Sequence, residues 1–218
     1  MHNNLNNLQE ITQEIYSKEN NQNKTVKIIA VTKTFDMDKI FPLIENGHIH
    51  FGENKVQEAQ NKWSDIIMKN KNIKLHMIGK LQTNKVKYAV KLFDYIHSID
   101  SIKLAYKIDV EQKKINKNIK LFIQVNIDSE EQKNGIALRD VEIFHNQLAN
   151  DMKMNVVGLM CIPSINSNIE HAYEKMKKMT TKLGLRELSM GMSSDYLEAI
   201  KFGSTFVRIG SKIFGKRN

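Results

Sequence analysis

An α/β fold of the (β/α)8 TIM-barrel type, led by one N-terminal helix, is what this sequence predicts, and three observations predict it. Apolar, β-branched runs such as Lys27-Ile28-Ile29-Ala30-Val31-Thr32-Lys33 read as strands covered on both faces, which is the habit of parallel sheets. Such runs alternate with helical periodicity about eight times along the chain. The length, 218 residues, suits a barrel forming one domain of roughly 200 to 250 residues. A single domain over residues 1–218 is therefore expected.

Taken in order, Leu5, Leu8, Ile11 and Ile15 recur at helical spacing over 5–18, and the polar tract 20–23 breaks that helix. After a strand at 27–32, Asp36 is placed to cap a helix running to Glu45, with Gly47 as its stop. Residues 48–51 make a brief second strand and Gly52-Glu53-Asn54 a turn. Val56, Ala59, Trp63, Ile66 and Ile67 then share the next helical face. Strands follow at 75–78 and 95–97, with helices at about 83–92 and 102–115. A fifth strand at 119–127 leads into a polar loop, 128–135. Next come a helix near 141–148, a strand at 156–160, and Pro163 in a strand-to-helix loop. Ala172, Met176, Met179 and Leu183 line one face of the following helix, closed by Gly184. The seventh strand covers 185–190. A helix at 195–201 and a strand at 205–209 end the alternation, followed by Gly210-Ser211 and a short tail.

Composition narrows the function classes. The net charge of +9, from 33 Lys and Arg against 24 Asp and Glu, favours anionic ligands. The lysines are spread along helices without one dense cluster, so they read as solvated faces and nucleic acid is not the expected partner. The single cysteine, Cys161, excludes an internal disulfide and follows an apolar run, so it reads as a packed thiol in a reducing compartment. Residues 1–10 are polar, without the apolar core of a signal peptide, and no later segment is apolar enough to span a bilayer. A cytoplasmic, membrane-free protein is expected.

A charge at the tip of a buried strand is an anomaly, and in an α/β barrel the carboxyl ends of the strands surround the functional site. Lys33 stands at such a tip. The same rim collects Asn54, Gly79 to Gln82, Ser98, Asn126, Lys133, Pro163, Met190 to Ser194 and Arg208 to Ser211. Barrels often bind phosphate with the loops after strands seven and eight. Here those loops are Gly191-Met192-Ser193-Ser194-Asp195 and Gly210-Ser211, where glycines admit backbone amides and serines add donors. Arg208 shares the parity of Gly210, so both can face one interior; its partner can be a structural carboxylate or a ligand. An amine that can form an imine, a phosphate cradle and an arginine between them fit pyridoxal 5′-phosphate (PLP).

At these residues a resemblance becomes specific. Val31-Thr32-Lys33-Thr34, Phe51-Gly52-Glu53-Asn54, His76-Met77-Ile78-Gly79 with Leu81-Gln82-Thr83-Asn84-Lys85, Leu188 to Ser193, and Val207 to Ser211 recur in matching order. The chain resembles, over nearly its whole length, the pyridoxal-phosphate homeostasis protein family, whose barrel is similar to the N-terminal domain of alanine racemase. The resemblance implies that Lys33 is the Schiff-base lysine, that Arg208 faces the pyridine nitrogen, and that Met192, Ser193, Ser194, Gly210 and Ser211 lie near the phosphate. It also puts Asn54 in the ring pocket and Lys133 near the cofactor's route. Phe35 departs from the pattern where a second lysine often follows the first, Lys80 replaces a usual proline, and Lys55 a usual aromatic.

An arginine beside the ring nitrogen donates and cannot accept, so it leaves that nitrogen unprotonated and weakens the electron sink. The resembled racemase takes its second acid–base group from an additional β domain, which is not expected beyond Asn218. His76, His97 and Tyr196, the candidate replacements, read as packing or surface residues. The expectation is a monomeric, non-catalytic carrier that holds PLP as a reversible Schiff base, with no catalytic residue and no metal, and delivers it to apo PLP-dependent enzymes. A small amino-acid racemase is the alternative. An aldolase-like barrel would carry its imine lysine on the sixth strand, which has none.

Overall fold

The computed structural model describes residues 3–18, 26–128, 130 and 132–215, and within them the alternation closes into a barrel. Helix α1 (Asn3–Lys18) leads. The strands are β1 (Lys27–Val31), β2 (His50–Glu53), β3 (Lys74–Met77), β4 (Tyr95–Ile99), β5 (Lys120–Asn126), a two-residue β6 (Ile136–Ala137), β7 (Val156–Cys161), β8 (Glu187–Met192) and β9 (Phe206–Ile209). They pair in the order β4-β3-β2-β1-β9-β8-β7-β5-β6, and β4 also pairs with β5, which joins the two ends. The pairs are parallel. Because β6 only extends the carboxyl end of β5, matching Val125 with Ile136, eight strands form the wall. Around them lie α2 (Met37–Glu45), α3 (Val56–Lys69), α4 (Val86–Leu92), α5 (Ile102–Lys114), α6 (Val141–Asn146), α7 (Ile169–Lys182), α8 (Tyr196–Lys201) and α9 (Ser211–Phe214).

The wall separates two apolar compartments because successive strand residues point to opposite faces. Outward residues such as Phe51, Leu75 and Leu121 pack under the helices together with Trp63, whose ring lies 4.9 Å from that of Phe51. Each such side chain contributes roughly 1.5–3 kcal/mol through burial. Inward, Ile29, Tyr95, Phe122, Met160 and Phe206 plug the barrel, so its interior is a packed core and any ligand is confined to the mouth. Leu8, Ile11 and Ile15, the periodic residues of α1, are buried as expected.

Several boundaries differ from the sequence expectation. The second strand starts at His50, two residues late, and takes in Gly52 and Glu53, which pair with His76 and Met77 of β3. Two flanking strands supply partners here, and that overrides the turn preference of glycine. Strand β8 likewise runs two residues further, to Met192. Asp36 occupies the N-cap of α2, yet its carboxylate makes no cap hydrogen bond; its backbone carbonyl accepts from Lys39 instead. The tail after Gly210 is helix α9, whose Phe214 packs 4.9 Å from the ring of Phe35. The tract 20–23 lies outside the described residues. No helix among the described residues is long and apolar enough to cross a membrane.

Candidate functional site

The carboxyl ends of the strands gather the sequence-predicted residues at one mouth. Lys33 follows β1 by two residues and is half-buried. Its strand is registered with β2 through Val31 and Gly52 and with β9 through Ala30 and Ile209. A Cβ built on Gly210 would stand 3.4 Å from Cβ of Val31, so the tips of β1 and β9 run side by side. Lys33 therefore emerges next to the Gly210 turn.

The backbone leading to Lys33 is anchored by a residue that sequence reasoning read as part of a turn. Glu53 is fully buried, and its Oε1 accepts from Thr32 Oγ1 (2.7 Å), Lys62 Nζ (2.9 Å) and Trp63 Nε1 (3.0 Å). Lys62 also donates to the carbonyl of Thr32 at 2.8 Å. A buried carboxylate survives when it is paired and hydrogen-bonded, and this one ties β1, β2 and α3 together beneath the lysine. Just beyond, Thr34 has a φ of 67° and its N–H donates to Glu58. The signal in the sequence was a carboxylate ending an otherwise apolar strand.

Arg208 is buried inside the barrel, and neutral groups hold it. One terminal nitrogen donates to the carbonyl and the hydroxyl of Ser189, both at 2.8 Å, and the other to the carbonyl of Cys161 at 2.9 Å. The structural carboxylate considered from the sequence is not among these partners; Asp195 supports the charge from further off. Burial pulls the guanidinium pKa down, but an arginine stays cationic. Three of its five N–H donors are spent on the frame.

The two glycine–serine loops meet. Ser193 Oγ accepts from the backbone N–H groups of Gly210 (3.3 Å) and Lys212 (3.4 Å). Asp195 shapes the first loop by accepting from the N–H of Met192 at 2.7 Å and from the hydroxyl of Tyr173. Gly191 opens that loop at φ +88°, where a Cβ would also come within 2.5 Å of Cβ of Ala199. Ser194 and Ser211 are exposed at the mouth.

Asn54 lines a cavity of about 450 Å³ together with Lys55, Gly79, Lys80 and Gln82. Its side-chain oxygen is buried without a hydrogen-bond partner. Gly79 is required here, since a Cβ would fall 2.4 Å from the Asn54 carbonyl. Lys55 and Lys80 are exposed, as rim residues should be, and Phe35 is buried. Lys133, on the loop after β5, lies 3.4 Å from Glu130 and 3.7 Å from Asp128. Asn126 braces the same loop by donating to the carbonyl of Glu130 at 2.7 Å.

The reactive-looking groups outside this set are engaged elsewhere. Cys161 is buried, and desolvation pushes its thiol up to about 12. Tyr196 bonds Glu14 of α1 and accepts from Lys212 at 2.7 Å. His76 and His97 lie in the barrel interior, where burial lowers both well below the usual histidine range.

Comparison with known proteins gives a consistent picture. The family model described as alanine racemase, N-terminal domain, matches residues 4–218. The pyridoxal phosphate homeostasis protein of Haemophilus influenzae is 37% identical over 226 residues, covering 99% of this chain and 95% of the relative. Its namesake from Escherichia coli K12 is 33% identical over 88% of this chain and 86% of its own length. The solved structure of PipY from Synechococcus elongatus, with PLP bound, superposes with a TM-score of 0.81 at 31% identity, over 94% of this chain and all of that one (100%). Alanine racemase from Clostridium difficile shares the fold at a TM-score of 0.73 and 12% identity; this chain covers 57% of it.

Proposed function

Since the chain belongs to the alanine racemase N-terminal-domain family and, within it, to the pyridoxal phosphate homeostasis proteins, we propose that it binds PLP reversibly at the barrel mouth and serves as a cytoplasmic PLP carrier rather than a catalyst. The observation that carries this reading is the convergence, at neighbouring strand tips, of the Lys33 segment, the neutral-partnered Arg208 and the paired N–H groups of Gly210 and Lys212.

The residues fit the group. N–H donors of Gly210 and Lys212 in the loop after β9, converging on the position of the Ser193 oxygen from the loop after β8, suit a phosphate, with Met192, Ser194 and Ser211 beside them. The orphan acceptor of Asn54 suits a ligand hydroxyl. The remaining N–H groups of Arg208 suit a ring nitrogen acceptor. When bound, PLP supplies an aldehyde that condenses with a primary amine, losing water; Lys33 offers that amine.

Absence of turnover is supported by how the other groups are spent. Arg208 can donate to a ring nitrogen but not give up its proton, and the hydroxyl of Tyr196 is held by Glu14 and Lys212. His76 and His97 are sealed in the interior. Delivery of the group, from a monomer, to apo-enzymes is the role that fits the relatives' name.

Incubation of the purified chain with PLP, followed by borohydride reduction and peptide mapping, tests the reading. A yellow protein labelled on Lys33 is expected. Label on another lysine defeats the assignment, and exchange of the α-proton of free amino acids by the loaded protein would favour a racemase.

A further inference from the structure

A row of hydrogen bonds crosses the barrel interior and ends on Arg208. His50 Nδ1 lies 2.9 Å from His76 Nε2, His76 Nδ1 lies 2.9 Å from His97 Nε2, and His97 Nδ1 lies 3.0 Å from the hydroxyl of Ser189. That hydroxyl accepts from Arg208. The rings come from β2, β3 and β4 and are clamped flat: His76 stacks on Tyr95 at 4.2 Å and His97 on Phe122 at 4.1 Å.

Donor counting gives this row one direction. Arg208 can only donate, so the Ser189 oxygen accepts from it; the other neighbour of this fully buried hydroxyl among the described residues is His97 Nδ1, and its proton is satisfied by donating there. His97 then carries its proton on Nε2 and donates to His76 Nδ1; His76 does the same toward His50. Each ring turns a lone pair toward the cation and an N–H away from it, which is the order the arginine's field favours. Neutral rings are what this arrangement needs, and burial keeps His76 and His97 neutral.

We infer that His97 and His76 are positioning residues for Arg208: the row locks the Ser189 hydroxyl as an acceptor toward the guanidinium and so aims the remaining donors of the fork at the mouth. Without the row that hydroxyl would rotate freely and could turn its proton against the arginine. What the fork is aimed at rests on the PLP reading above; the order of the row does not.

The test therefore begins on the protein without cofactor, by nitrogen NMR of labelled histidine. His76 and His97 are expected as neutral Nε2–H tautomers. Ser189→Ala should mix the tautomers of His76 as well as His97, although Ser189 does not touch His76, and Ser189→Thr should restore them. In protein loaded with PLP, His76→Gln should shift the cofactor absorbance band, two links away from Arg208. Nδ1–H rings in the unaltered protein, a His76 signal indifferent to Ser189→Ala, or an unmoved band in loaded His76→Gln would each overturn the inference. Failure of the chain to take up PLP at all would sink the carrier reading instead, and the histidine signals would still decide the row.

Discussion

Ser193 Oγ and the backbone N–H of Gly210 lie 3.3 Å apart, and this contact joins the loop after β8 to the loop after β9. With the Lys212 N–H pointing at the same oxygen, it marks a spot prepared for an acceptor. The loop geometry that makes the contact possible depends on Gly191 at φ +88°.

Gly191→Ala is accordingly expected to cost about 1–3 kcal/mol, because the new methyl group meets Ala199 and the backbone is left in a left-handed conformation. Urea unfolding measures the loss. A stability equal to that of the unaltered chain would mean that the loop does not need this geometry.

Lys33→Ala should abolish borohydride-stable labelling while the N–H groups at the Gly210 turn retain weak PLP binding. A fall in affinity of at least about tenfold, or about 1.4 kcal/mol, is expected by fluorescence or absorbance titration. An unchanged spectrum would contradict the assignment.

Glu53→Gln takes one of two carboxylates from Lys62 beneath the lysine segment, where Glu53 is fully buried and Lys62 nearly so, and leaves it Glu58 at 3.1 Å. Losing one buried charge-assisted bond costs roughly 1.5–3 kcal/mol. Thermal unfolding should fall accordingly, and Lys33 labelling should slow because the Lys62 that braces the Thr32 carbonyl is held less firmly to β2.

Acid should destabilise the fold earlier than carboxylate titration would. Burial lowers His48 and His50 to about 4 and holds His76 and His97 well below their usual range. The unfolded chain takes up protons near pH 6.5 while the folded rings stay neutral, so stability is full above about 6.5 and is lost as pH falls toward 4. Each ring contributes a slope of roughly 1.4 kcal/mol per pH unit in that window. Urea midpoints at pH 7 and pH 5 measure the loss; a flat profile would refute it.

Arg208→Glu offers a carboxylate that accepts rather than donates, which should favour a protonated ring nitrogen and shift the absorbance of bound PLP. It also removes the three bonds to Ser189 and Cys161 and turns a carboxylate toward their carbonyls, so a stability loss of at least about 3–5 kcal/mol should accompany the shift. Loss of stability with an unmoved band would make Arg208 purely structural.

The strand–helix alternation and the rim residues were legible in the chain itself, because burial on both faces writes a local apolar signature into runs such as Ile28 to Val31 and Leu121 to Val125. The Lys33 tip and the two glycine–serine turns stood out for the same reason, as polar interruptions at the ends of those runs. Register was not legible. The drawing of Gly52 and Glu53 into β2, the neutral partners of Arg208 and the His50–His76–His97 row depend on pairing between strands far apart in sequence. Hydrophobic periodicity acts over a few neighbouring residues, whereas those hydrogen bonds exist only once the barrel closes and sets one strand against the next.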